Sequence, residues 1–301
     1  MATYQEILAS IAERDPRLVV VTAENRAAIR DLPAKLGDRF VDVGICEQTM
    51  IGMAAGLALR GRVPVCHALA TFLTLRAFEF IRTDVGIPRL PVKLVGGVPG
   101  FLSEANGPTH QAIEDVALMR AIPNMQIVCP ADEVELAEAI PAVIASPEPC
   151  YVRFNALKPA VEHRTPFELG RAEVLSEGND VALLTCGLLL REAEVARQRL
   201  GDQGVRTRLV NLRTLRPIDE QAVLRAATES KLVVTLEDHL LAGGIYSIVC
   251  EILVAHGVRA TVLPIGLDQR WFKPARLADV IAFERFDGAS IADRVLRAVR
   301  R

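Results

Sequence analysis

Glu47 opens the apolar helix expected after Gly44, in RFVDVGICEQTMIGMAAGLALRG (residues 39–61), and its setting invites chemistry. Met50, Ile51, Met53, Ala54, Leu57 and Ala58 recur at helical spacing, so the first-turn carboxylate borders a core rather than open water. Two readings stand side by side. The positive end of the helix dipole favours a carboxylate by up to about 1 kcal/mol, which spacing alone ranks first. Desolvation would instead raise the pKa, so that the group holds or passes a proton near neutrality. These causes act in opposite directions, and the protonation state of Glu47 is open at this level.

A second feature is the loop GGVPGFLSEANGPTH (residues 96–110), too glycine-rich for an ordinary short connection and ending in Asn106, Gly107, Pro108, Thr109 and His110. It lacks GxGxxG spacing and no helix opens directly after it, which argues against nicotinamide binding. His110 is either a loop histidine tied to local backbone or a group at the same sheet edge as Glu47. Phe72 and Phe78 lie in one expected helix; core packing accounts for both, and a flat heteroaromatic ring would need such surfaces to stack on.

The elements that must position these residues follow from periodicity. Helix 4–13, strands 18–22 and 40–43, the helix from Glu47, strand 63–67, helix 72–85 and strand 92–98 are expected in that order. Strand 125–129, helix 132–144 and strand 151–154 follow the loop. Continuous apolar strands between amphipathic helices imply a parallel sheet covered on both faces. A second unit follows: strand 181–186, helix 190–200, strand 208–212, helix 220–227, strand 231–236, helix 244–256, strand 260–264 and a closing helix 291–299. The fold class is therefore α/β, with two open, mostly parallel sheets flanked by helices. NALKPAVEHRTPFELGR loses the periodicity and carries two prolines, which divides the chain into residues 1–155, a linker 156–172 and residues 173–301. In open α/β sheets, sites gather at loops after the carboxyl ends of strands, where Glu47 and His110 are both expected.

Composition narrows the class. The 301 residues carry a formal net charge of −2, so neither a nucleic-acid footprint nor a polyanionic tail is indicated. No run is long and apolar enough to span a membrane, and the first residues read as an amphipathic helix rather than a signal peptide; a cytoplasmic protein is expected. The six cysteines are scattered without a CxxC pair, which suits buried free thiols and gives this chain no metal site.

VDVGICEQ, ATFLTLRAFEFIR, GPTHQAIEDVALMRAIPN, CPADEVE and VTLEDHLLAGGIYSIVCEIL occur here in one order. Together they resemble the transketolase family of thiamine diphosphate enzymes, in its pyrimidine-binding domain (residues 1–155) followed by its C-terminal domain (173–301). The family's diphosphate-binding GDG motif with a downstream asparagine is missing: LGDQG and SEGND do not match it. The resemblance is thus to the C-terminal subunit of a split transketolase, similar in layout to the beta subunits of 2-oxo acid dehydrogenase first components. It implies inactivity alone and a partner, an N-terminal transketolase subunit carrying the GDG motif, the cofactor diphosphate and its Mg2+ or Ca2+, in an α2β2 assembly.

By position, the resemblance makes Glu47 the acid that hydrogen-bonds N1′ of the aminopyrimidine and favours its imino tautomer. It makes Phe72 a wall of the pyrimidine pocket, with Phe78 the second candidate. His110 becomes the contact to donor oxygens and Arg153, in YVRF, a phosphate grip; read alone, Arg153 is a strand-end arginine in a surface pair. His239 reads as structural, at the rim of the site, and His67 and Glu114 as packing or loop-tethering groups. Several positions depart from the family. Asn106 replaces an aspartate that reads donor hydroxyls, Val98 and Pro99 stand where a histidine or arginine is common, and Leu75 stands where an aromatic is. Tyr4 falls near the place of a phosphate-binding arginine. The implied activity is transfer of a two-carbon ketol unit from a ketose-type donor to an aldehyde-type acceptor, with a substrate pair other than the ordinary pentose phosphates. The alternatives are a decarboxylating relative, such as deoxyxylulose phosphate synthase or a 2-oxo acid dehydrogenase component, and a non-catalytic assembly subunit.

Overall fold

The computed structural model describes residues 2–300. Its strands are β1 (Leu18–Thr22), β2 (Phe40–Asp42), β3 (Val63–Leu69), β4 (Lys93–Gly97), β5 (Gln126–Val128), β6 (Cys150–Arg153), β7 (Glu173–Ser176), β8 (Val181–Thr185), β9 (Thr207–Asn211), β10 (Thr214–Arg216), β11 (Leu232–Leu240) and β12 (Val262–Leu267). They form a seven-stranded sheet, β10-β5-β6-β4-β3-β1-β2, and a five-stranded sheet, β12-β11-β8-β9-β7. β1, β4, β6 and β8 are buried at every residue, as strands covered by helices on both faces must be. The two sheets are parallel except at one edge of each, where β10 pairs antiparallel with β5 and β7 with β9.

Local chemistry fixes the helix starts. Thr3 and Glu6 form a capping box on the helix Tyr4–Arg14. Asp132 accepts the Val134 and Glu135 amides, at 2.9 and 3.0 Å, to begin the helix Glu133–Ala145. Two expectations needed revision. The aromatic helix after β3 is not a plain α-helix, because Phe72–Arg76 and Ile81–Gly86 are π-helical on either side of Phe78–Phe80. β11 runs on through His239, which was expected beyond the strand, since Leu240 still pairs with Leu267 after a register shift.

No helix or strand lies between residues 154 and 172, yet the two sheets are joined. β10, absent from the expected elements, crosses from the second half of the chain to the edge of the first sheet, where Thr214 faces Val128 and the Cys129 amide reaches Arg213 O at 2.9 Å. One apolar cluster includes Met50, Leu94 and Ile127 with Val210, Ile248 and Val249, so the core continues from one sheet to the other. Cys66, Cys129, Cys150 and Cys186 are buried free thiols, whereas Cys46 is exposed. Among the described residues, no helix is long and apolar enough to cross a membrane.

Candidate active site

Parallel pairing aligns the carboxyl ends of β2, β1, β3, β4 and β6 along one sheet edge. Glu47 follows β2, Phe72 follows β3, the loop to His110 follows β4, and Arg153 ends β6. The turn from β2 into the helix Glu47–Leu59 is set by Asp42, whose Oδ1 accepts the Gly44 and Glu24 amides at 2.9 and 3.0 Å. Arg26 Nε holds Oδ2 at 2.6 Å, and Gly44 has φ +74°, a conformation open to glycine at no steric cost. Glu47 emerges from this turn 2 % exposed.

Three of the expected groups meet there, joined by a fourth. Arg76 Nη1 donates to Glu47 Oε2 at 2.7 Å, and its guanidinium lies 4.2 Å from the centre of the Phe72 ring, a cation–π distance. Phe72 in turn meets the His110 ring edge-on, with centroids 5.0 Å apart. His110 is tied by Thr71 Oγ1, which donates to its carbonyl at 2.7 Å, and by Thr109 Oγ1, 2.9 Å from Nδ1. Nε2 is left as the nitrogen for a ligand. A buried carboxylate, an aromatic face and an imidazole thus line one edge, a donor set that suits a protonatable heteroaromatic ring beside a polar substrate. Asn106 is exposed on the same loop, with its amide bonded to Ser103 O at 2.9 Å.

Other expectations are corrected. Phe78 is half-buried against the apolar core, whereas Phe72 is the aromatic that meets His110. Arg153 is not the surface-paired arginine that its strand end suggests: it is 4 % exposed, with Nε on Asp115 Oδ2 at 2.9 Å and Nη1 on Asp238 Oδ1 at 2.8 Å. Burial alone would lower its pKa, but those two carboxylates outweigh burial and keep it charged. Tyr151 Oη also donates to Asp115 Oδ2, at 2.6 Å, while Arg153 Nη2 is buried without a hydrogen-bond partner. Tyr4 is buried against His67 and Phe154, and burial pushes His67 down to about 4. His239 is buried and also lowered by desolvation; its Nδ1 lies 2.6 Å from Leu240 O, the geometry of a structural histidine.

Glu135, His163 and Glu173 gather outside this site with the ligand types of a metal centre. Their charges are already matched. His163 sits between Asp132 and Glu173 at 2.9 and 2.8 Å, and Arg213 lies 2.8 Å from Glu135 and 3.0 Å from Glu173. Burial would lower His163, but the Asp132 and Glu173 bonds outweigh it and raise the imidazole to about 10. With these side chains already bonded to one another, to Asp132 and to Arg213, the cluster forms an ionic clasp between the connecting segment and both halves of the chain.

Asp42, Arg76, Asp115 and Asp238 were not singled out in the sequence. Asp42 had a local signal, an aspartate ending a strand two residues before glycine. Arg76 stands one helical turn after Phe72. Asp115 and Asp238 had none, because their partner Arg153 is distant in the chain.

Comparison with known proteins bears directly on this arrangement. Residues 1–158 match the model for the transketolase pyrimidine binding domain and residues 170–291 that for the transketolase C-terminal domain. The chain belongs to the transketolase family. Among relatives of this transketolase-family chain, the 6-deoxy-6-sulfo-D-fructose transketolase subunit SqwH of Clostridium sp. (strain MSTE9) is 38 % identical over 83 % of this chain and 79 % of its own length. The putative transketolase C-terminal section of Methanocaldococcus jannaschii is 31 % identical over 99 % of this chain and 95 % of its own. The 1-deoxy-D-xylulose-5-phosphate synthase of Thermomicrobium roseum is 37 % identical over 97 % of this chain, which spans only 48 % of that enzyme. A solved split gene transketolase, described as an inactive beta4 tetramer, superposes with TM-score 0.89 at 30 % identity, covering 99 % of this chain and 97 % of that one.

Proposed function

We propose that this chain is the pyrimidine-side subunit of a two-component, thiamine diphosphate-dependent transketolase that moves a two-carbon ketol unit from a ketose-type donor to an aldehyde-type acceptor. The observation that carries the reading is the convergence of buried Glu47, Phe72 and His110 at one sheet edge. Residues 1–155 form the pyrimidine side, 156–172 the connection and 173–301 the C-terminal unit in this reading. Bound thiamine diphosphate would supply the carbanion-stabilising chemistry. Glu47 holds the proton at ring nitrogen N1′, Phe72 offers the stacking surface, and His110 Nε2 meets the developing charge on a donor oxygen. Asn106 stands at the loop tip as a contact to donor hydroxyls.

The diphosphate and its Mg2+ or Ca2+ belong to the partner subunit. The Glu135, His163 and Glu173 clasp does not fit that ion, since a protonated imidazole and an arginine already neutralise it. Surface character supports association: Ile45, Met53 and Leu59 on or beside the helix Glu47–Leu59 are exposed, as are Leu75, Phe80 and Ile87, and such apolar groups next to a site suit an interface. An α2β2 assembly in the cytoplasm follows from this reading. Substrate choice departs from the ordinary pentose phosphate pair, because Arg153 is paired with two carboxylates and an uncharged Asn106 stands in the loop.

The half-length match to 1-deoxy-D-xylulose-5-phosphate synthase favours one second reading, a decarboxylating enzyme. Reconstitution with a partner subunit that carries the diphosphate-binding GDG motif separates the two. Ketol transfer from a ketose donor to an aldehyde, without carbon dioxide from pyruvate, supports the transketolase; carbon dioxide release without ketol transfer supports the rival.

A further inference from the structure

We propose that Asp238, on β11 of the C-terminal half, is a positioning residue that holds the His110 loop in place across the two sheets. The inference rests on His110 acting as argued above, while its structural part stands alone. Asp238 bridges two elements of the first half: Oδ1 accepts Arg153 Nη1 at 2.8 Å, and Oδ2 accepts the Phe101 amide at 3.3 Å. Phe101 follows Gly100 at the start of the segment Gly100–Asn106 that leads to His110. Its ring is fully buried against Phe272 and Phe286, with centroids 5.1 and 4.9 Å away and both contacts edge-on. Gln111, just past His110, donates to Phe272 O at 2.8 Å, and the Leu240 amide donates to Ile113 O at 2.8 Å. The loop is therefore fastened to the C-terminal half before and after His110.

Two further observations show that the fastening is built closely. A Cβ on Gly100 would lie 1.9 Å from Asp238 Oδ2 and 2.8 Å from Arg153 Nη2, so only glycine lets the backbone come this near. Val98 and Glu104, at φ +48° and +47°, occupy the left-handed region at a cost of order 1–3 kcal/mol each, which persists only where the surroundings over-determine the backbone. Asp238 and the Phe101 socket supply that constraint. Arg153, clamped between Asp115 and Asp238, transmits it from β6.

The test follows the His110 imidazole signal by NMR in the isolated chain, whose five histidines are assignable by single substitution. Phe72 lies edge-on to that ring, so its ring current reports placement without any catalytic assay. Asp238→Asn is expected to move the His110 signal, and Asp180→Asn, at a surface pair with Lys231 in the same half, to leave it. In the assembled enzyme Asp238→Asn should lower kcat about 10- to 100-fold, the scale of a misplaced reacting group, with cofactor affinity unchanged. If circular dichroism shows Asp238→Asn unfolded, Phe101→Leu gives the same reading. A folded variant of either kind with an unmoved His110 signal overturns the inference. A moved signal with unaltered kcat upholds the positioning and instead contradicts the role given to His110.

Discussion

Glu47 is held at the uncapped start of an apolar helix, and its protein partner is an arginine that also lies over Phe72. Glu47 is thus buried at a helix start and paired with Arg76. Replacing the acid by its amide keeps the shape and removes the titratable group. In the reconstituted enzyme Glu47→Gln should therefore cut kcat by about 10²- to 10⁴-fold, the usual contribution of a positioned acid or base, with the melting temperature little changed. Steady-state kinetics beside a thermal melt checks this. Glu47, Phe72 and His110 were legible in sequence because each carries a local signal: an acid on an apolar helix, an aromatic after a strand, a histidine closing a glycine-rich loop. The burial of Arg153 was not, because its two carboxylates come from Asp115 and Asp238, and the latter lies in the other sheet.

At the scale of elements, the loop between β4 and His110 is ordered by a single aromatic plug. Phe101 is fully buried, and truncating such a ring costs about 3–5 kcal/mol. Phe101→Ala should lower stability by that amount in a urea titration of the isolated chain. The strands and helices that frame the loop were readable from apolar periodicity, and β1 was expected with the ends it has. The π-helical turns after β3 were not, since an added residue per turn leaves Phe72, Arg76 and Phe78 looking like ordinary helical spacing. β10 escaped as well: three residues whose only ladder partner is β5 have no periodicity to show.

For the whole molecule, the clasp around His163 makes stability depend on pH. The native His163 pKa of about 10 lies above its ordinary value of 6.5, so its contribution is complete below about pH 6.5 and is lost as pH rises through 10. Glu135, which burial pushes up from its ordinary 4.5 to about 7, adds a loss that runs between those two values. Glu173 has the opposite sign. Burial would raise it, but its bond to His163 and the Arg164 amide outweigh burial and lower it to about 2, so its contribution is present above its ordinary 4.5 and falls away in acid. The melting temperature should therefore be highest near pH 4.5 and decline toward pH 10, and His163→Gln should flatten the part of the decline above about pH 6.5. The two α/β units and the aperiodic connection were legible because each unit has its own strand and helix rhythm. Their union through β10, the clasp and Asp238 rests on pairs far apart in the chain, which no local pattern announces.

The central proposal is that residues 1–155 offer the pyrimidine half of a thiamine diphosphate site whose diphosphate half comes from a partner subunit. Calorimetric titration of thiamine diphosphate with Mg2+ into the chain alone, its partner alone and the assembled pair tests it most directly. The account predicts tight binding by the pair only, weakened or lost when the pair carries Glu47→Ala. Tight binding by this chain alone, or undiminished binding by the pair with Glu47→Ala, would contradict it.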